Sequence, residues 1–398
     1  MNEQITIPAG FRLGAVKAGI KPSGGLDLAV IVADGAASAA GVFTTNRVAA
    51  APVVWDRSIV PSDEIVAVVI NAGNANAATG QGGLDDVRRT AEAAAERLGC
   101  RAEQVLVAST GIIGHRLPMD SLLDGLAVAL DTASAKVENL HEVSRAIMTT
   151  DTVPKVVCRR AEIGGATVTL LGFAKGAAMI GPNMATMLGF LLTDAHVLPG
   201  SLQGLLSTAV EDSFNCISVE GHMSTNDTVL ILASATADQP RLTGEDLLAF
   251  GTLVKETCVE LARMIPGDGE GSTHRVTIDV EGCLDRAEAR KVAEAVANSP
   301  LVKTAIHGAD PNWGRIVSAA GYAGVPFDEA ELSLWLNGTL LYAAGSPVGF
   351  DAAAASAGLR ADREVSIRLA LTRGEASIRV WTCDLTAAYV RLNAEYTT

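Results

Sequence analysis

An α/β chain of mixed α+β type, with layered sheets and helices, is what this sequence predicts, on three observations. Short Val- and Ile-rich runs alternate with stretches of helical periodicity. Hydrophobic residues make up 48% of the chain but aromatics only 4%, so Ala, Val, Leu and Ile must build the core. Turn signals at Gly164-Gly165, Pro199-Gly200 and 267–271 punctuate the chain without a low-complexity linker or an internal repeat.

The expected strands are residues 65–70, 105–108, 166–173, 228–233, 274–280, 332–336, 365–371 and 376–381, short and β-branched. The expected helices are 85–98, 121–137, 202–213, 246–264 and 286–297. In 246–264 the residues Leu247, Phe250, Leu253, Val254 and Leu261 recur on one helical face. At 398 residues the chain is long enough for two or three compact units with ample core.

The net charge of -14, with no basic block or arginine stripe, argues against a nucleic-acid partner. An anionic substrate would need local cations to overcome that field. The six cysteines, at 100, 158, 216, 258, 283 and 383, show no CxxC spacing and read as reduced packing residues. The six histidines show no HExxH or other ligand spacing, so a metal site is not expected. The opening MNEQITIPAG lacks a signal pattern, and no apolar run is long enough for a membrane helix. A cytoplasmic protein is the expectation.

The segment from Lys175 to Asp194, KGAAMIGPNMATMLGFLLTD, places a lone lysine before an apolar run broken by Pro182, Asn183 and Thr186. Proline removes a backbone donor and disfavours a helical Gly181, so a buried helix could begin only near Pro182. Thr186 is then expected just inside a helix start. A threonine hydroxyl is a poor nucleophile, but one carried at a chain N-terminus has its own amine, with a pKa of about 8, to take its proton.

The string GPNMATMLGFLLTDA, with Lys175 upstream, resembles the self-cleavage segment of the ornithine acetyltransferases (glutamate N-acetyltransferases) of arginine biosynthesis. The likeness continues in order along the chain. It includes GVFTTNRVAAAPV from Gly41, INAGNANAATG from Ile70, STGIIG from Ser109 and MTTDTVPK from Met148. Beyond the junction follow STNDTV from Ser224, GDGEGST from Gly267, GADPNWGRI from Gly308 and YVRLNAEYTT from Tyr389.

The resemblance implies cleavage between Ala185 and Thr186, giving an alpha segment 1–185 and a beta segment 186–398 intertwined in one fold. Their masses are roughly 19 and 22 kDa by proportion. It makes Thr186 the catalytic nucleophile, and Thr110 with Gly111 the oxyanion-hole pair. It assigns substrate binding to Thr152, Lys175, Thr186, Glu270, Asn393 and Thr398, with Asp151 as a neighbour. The implied acyltransferase moves acetyl from N2-acetylornithine to glutamate through an acetyl-Thr186 ester, with no metal or organic cofactor. The family also includes members that make N-acetylglutamate from acetyl-CoA. The implied assembly is a heterotetramer of two alpha and two beta chains. One departure concerns the loop after Val219, commonly acidic in the family, which here reads Glu220, Gly221, His222, Met223. His222 is read there as a core or loop residue rather than a catalytic one.

Two other readings use the same residues. A self-cleaving amidase or aminopeptidase would pass the acyl group to water. An uncleaved homologue would bind amino acids without turnover.

Overall fold

The computed structural model describes residues 5–181, 187–237 and 240–395. Its strands are β1 (Phe11–Val16), β2 (Leu28–Phe43), β3 (Ser62–Asn74), β4 (Val105–Ile112), β5 (Lys155–Ile163), β6 (Ala166–Lys175), β7 (Leu188–Thr193), β8 (Thr228–Ala233), β9 (Arg275–Cys283), β10 (Ser333–Leu336), β11 (Thr339–Ala343), β12 (Ser346–Pro347), β13 (Glu364–Ala370) and β14 (Ala376–Cys383). One sheet runs β4-β3-β2-β8-β7-β6-β5, with β1 also paired to β2. A smaller sheet runs β12-β11-β10-β13-β9-β14.

Strand β2 explains the shape of the larger sheet. Its first half pairs with β1 and β3, its second half with β8 while Ala37 and Ala39 still pair with β3, and exposed Asp34 to Ala36 mark the irregularity between the halves. Because strand side chains alternate between faces, Leu28, Val30 and Val32 pack with the helices Gly80–Leu98 and Met119–Thr132. The intervening Ala29, Ile31 and Ala33 join a second cluster with Phe173, Phe190, Leu230 and Leu232 from the far half of the sheet. The far half's outer side chains, Leu170, Leu191 and Ile231 among them, pack under the helices Pro199–Glu211 and Gly244–Gly267. The order is therefore helices, half-sheet, half-sheet, helices. Each half is buried on both faces, which is why its strands read as continuous apolar runs.

One expectation fails here. The apolar run after Thr186 is not a helix: Leu188–Thr193 is strand β7, hydrogen-bonded antiparallel to β6 and parallel to β8. A short apolar run carries no periodicity to separate a buried helix from a buried strand. The expected helix 121–137 is also divided, into Met119–Thr132 and Val137–Ala146. No helix among the described residues is long and apolar enough to cross a membrane.

Strand pairing across the junction is extensive. Strands β7 and β8, which follow residue 186, lie between β2 and β6, which precede it. The ends of β4 and β6, the loop at Ser224 to Asp227 and the turn after the helix Gly244–Gly267 all reach one cavity.

Candidate active site

The cavity has a volume of about 380 Å³ and is lined by Thr110, Gly111, Lys175, Glu270 and Asn393 among others. These five come from four widely separated parts of the chain, brought together by the fold.

Thr110 and Gly111 sit near the end of β4, where the parallel pairing with β3 becomes irregular at Gly73 and Asn74. Gly111 has φ +132°, and a Cβ there would lie 2.3 Å from the Gly73 carbonyl carbon. Only glycine fits. Asn226, from the STNDTV loop, fastens this ridge by donating to the carbonyls of Ala75 (2.6 Å) and Ser109 (2.8 Å).

Lys175 ends β6 and is 2% exposed. Its Nζ donates to Thr110 Oγ1 at 3.2 Å. An ammonium has no acceptor, so the Thr110 hydroxyl accepts from it and keeps its own proton to donate into the cavity. Burial lowers the Lys175 pKa, opposed by Asp151 and assisted by Lys155.

Beneath Lys175 lies a buried chain of charges. Asp151 Oδ1 accepts from the Gly176 amide (2.6 Å) and from Lys155 Nζ (2.7 Å), and its Oδ2 accepts from the Thr149 amide (3.1 Å). Lys155, 1% exposed, also donates to Asp268 Oδ2 at 2.7 Å. Asp268 closes the chain by accepting from the amide and the hydroxyl of Thr152. Burial alone would raise the Asp151 pKa, but Lys175, Lys155 and the Gly176 amide outweigh it and hold it below the ordinary carboxylate value.

Asp268 belongs to the turn that positions Glu270. Pro266 lies in the last turn of the helix Gly244–Gly267, and the amide of Glu270 then donates to Ala177 O at 3.0 Å. The Glu270 carboxylate accepts from Asn393 Nδ2 at 2.8 Å. Asn393 lies on the helix Ala387–Glu395, so the C-terminal part of the chain does fold back onto the cavity.

Thr110, Gly111, Lys175, Glu270 and Asn393 thus share one cavity. Thr152 does not line it: it is exposed, with its hydroxyl on Asp268. Thr149 and Thr150 are the cavity-lining members of that motif. Ala185, Thr186 and Thr398 lie outside the described residues. The chain on either side of 182–186 is nevertheless fixed. Ile180 O accepts from the amides of Val219 (2.8 Å) and Gly221 (3.0 Å), and the Met187 amide donates to Asp227 Oδ1 at 3.1 Å. Burial raises the Asp227 carboxyl well above its ordinary value, with the Met187 amide opposing. In the departing loop His222 is exposed, while burial pushes Glu220 up to about 8.

Sequence reasoning missed Lys155, Asp268, Asp227 and Lys21. The first three stand inside the quoted MTTDTVPK, GDGEGST and STNDTV strings, so a signal was present. Lys21 lies outside every quoted string. Among the described residues, no group of His, Cys, Asp and Glu is arranged to hold a metal ion.

Lys155→Met would leave Asp151 and Asp268 buried without the cation between them, a change expected to cost about 3–5 kcal/mol. Chemical denaturation should show the loss, and adding Asp151→Asn should recover part of it. Asp151 has a depressed folded pKa, so its stabilisation is present above about pH 4 and lost as pH falls through the folded value. An unchanged denaturation midpoint in Lys155→Met would remove the charge chain from the account.

The pattern that defines the ArgJ family matches residues 12–398. An arginine biosynthesis bifunctional protein ArgJ from Symbiobacterium thermophilum is 46% identical, with 99% of this chain and 98% of that protein covered. One from Dehalococcoides mccartyi is 44% identical, with 99% and 97% covered. The crystal structure of the bifunctional protein argJ from Bacillus halodurans matches 52% of this chain and 98% of its own, at 40% identity and a TM-score of 0.51. Matched over nearly its whole length by the family pattern and by these relatives, and carrying Thr110, Gly111, Lys175, Glu270 and Asn393 of that likeness around one cavity, this chain belongs to the ArgJ family.

Proposed function

We propose that the protein is a glutamate N-acetyltransferase (ornithine acetyltransferase) of arginine biosynthesis that first cleaves itself between Ala185 and Thr186. The observation that carries the reading is the convergence of Thr110, Gly111, Lys175, Glu270 and Asn393 on one cavity. The names of the relatives, which place those proteins in arginine biosynthesis, support it.

In the uncleaved chain the Thr186 hydroxyl attacks the Ala185 carbonyl, and water opens the resulting ester. The freed Thr186 amine then takes the proton of its own hydroxyl, which attacks the acetyl carbonyl of N2-acetylornithine. Thr110 Oγ and the Gly111 amide take the developing negative charge, a role worth roughly 3–4 kcal/mol per donor in the barrier. Ornithine leaves as the amine with the returned proton. The glutamate amine attacks the acetyl-Thr186 ester, and Thr186 regains its proton. Lys175 holds substrate carboxylate beside Thr110, while Glu270, steadied by Asn393, faces the side-chain ammonium of ornithine. Thr152 acts through Asp268, and Thr398 completes the site from the C-terminal end.

Cleavage would leave segments 1–185 and 186–398 sharing one sheet, and the position of β7 and β8 between β2 and β6 supports that division. So does the Bacillus halodurans chain, which spans about half of this one. The assembly proposed is two copies of each segment, working in the cytoplasm. Acetyl-CoA, as a second acetyl donor, would react at the same Thr186.

Incubation with N2-acetylornithine alone should add one acetyl mass to the fragment beginning at Thr186, and double-reciprocal plots should be parallel. Thr186→Ala should remain one inactive chain. Intersecting lines with no trapped acetyl fragment would point to direct transfer instead. Lys175→Met, assayed in its cleaved form, should lose about ten- to a hundredfold in kcat/KM, the worth of a charge-assisted hydrogen bond. Wild-type efficiency in that variant would take Lys175 out of the substrate site.

A further inference from the structure

Lys21 is a second lysine on the cavity wall, and the established family likeness gives it no role. It is half-buried and comes from the loop between β1 and β2. That loop is a built structure. The buried Asp27 carboxylate accepts from the amides of Ala18 (2.6 Å), Ile20 (2.6 Å) and Lys21 (2.9 Å). Gly73, with φ +104°, lets Lys21 come close: a Cβ there would stand 3.0 Å from Lys21 Cγ and 3.2 Å from its Cα.

The Lys21 ammonium donates to Leu26 O at 2.6 Å and to Ala146 O at 2.9 Å. An ammonium carries three protons, and among the described residues these two carbonyls are its only hydrogen-bond partners. One donor therefore remains for the cavity. Burial draws its pKa down to about 8, opposed by Asp27 and aided by Lys175. Such a charge gains from an arriving anion.

Among the described residues, the charges lining the cavity are Lys21, Lys175 and Glu270. Acetylornithine brings one carboxylate and one side-chain ammonium. Glutamate brings two carboxylates, and its attacking amine is neutral. Lys175 and Glu270 satisfy the first substrate; the second needs another cation. We infer that Lys21 binds the side-chain carboxylate of the acceptor and so selects a dicarboxylic amino acid, an assignment that rests on the acetyl-transfer reading above.

The test compares glutamate with glutamine as acceptor, at saturating N2-acetylornithine, in wild type, Lys21→Met, Lys21→Gln and Lys21→Arg. Wild type should prefer glutamate. In Lys21→Met that preference, as a ratio of kcat/KM values, should fall about ten- to a hundredfold, through a raised KM for glutamate, and Lys21→Arg should restore part of it. Lys21→Gln keeps a donor for the backbone carbonyls without the charge, so it gives the same readout if the Met variant fails to fold. An equal loss on both acceptors, an unchanged ratio, or a wild type indifferent to the two would make Lys21 a loop clamp and overturn the inference. Absence of transfer to either acceptor by wild type would instead overturn the acetyl-transfer reading.

Discussion

A buried ammonium is the constraint on which the site depends. Lys175 lies under protein at the end of β6, where a charge without compensation would cost several kcal/mol. It is tolerable because Asp151 stands behind it, joined through the Gly176 amide, and because Lys155 and Asp268 continue the alternation of sign. The same chain of charges ends in the turn that carries Glu270. The cation that meets Thr110 and the anion that meets Asn393 are thereby referenced to one buried network. Their separation is set by packing rather than by loop mobility.

The second constraint is covalent. Strand β6 leads into the junction and β7 leads out, and the two pair with each other in the interior of the sheet. The loop at Ile217 to Asp227 grips both sides, through Ile180 O and the Met187 amide. Breaking one peptide bond between such anchors releases a new terminus without releasing either strand. In the proposed mechanism that arrangement would let a residue from the chain interior serve as an N-terminal nucleophile in a fold that stays assembled.

Much of this was legible in the sequence. Runs such as 228–233 and 105–108 are strands because their β-branched and apolar residues fill both faces of a doubly covered sheet. Gly111 was singled out through the STGIIG likeness, and its φ of +132° is one that only glycine tolerates. The segment after Thr186 was misread as helical because an apolar run of strand length lacks a period. Long β2 was not foreseen, since its small residues and central polar break disguise two strands' worth of pairing. Lys155, Asp268 and Lys21 escaped for a different reason. Their meaning lies in contacts spanning more than a hundred residues, Lys155 to Asp268 and Lys21 to Ala146, which no local spacing encodes.

The central claim, that the junction opens within an assembled fold, is tested most directly by weighing the purified active protein under denaturing conditions. The account predicts two polypeptides of roughly 19 and 22 kDa, the heavier beginning at Thr186, which elute together when native. A single chain of 41.0 kDa with full activity would contradict it.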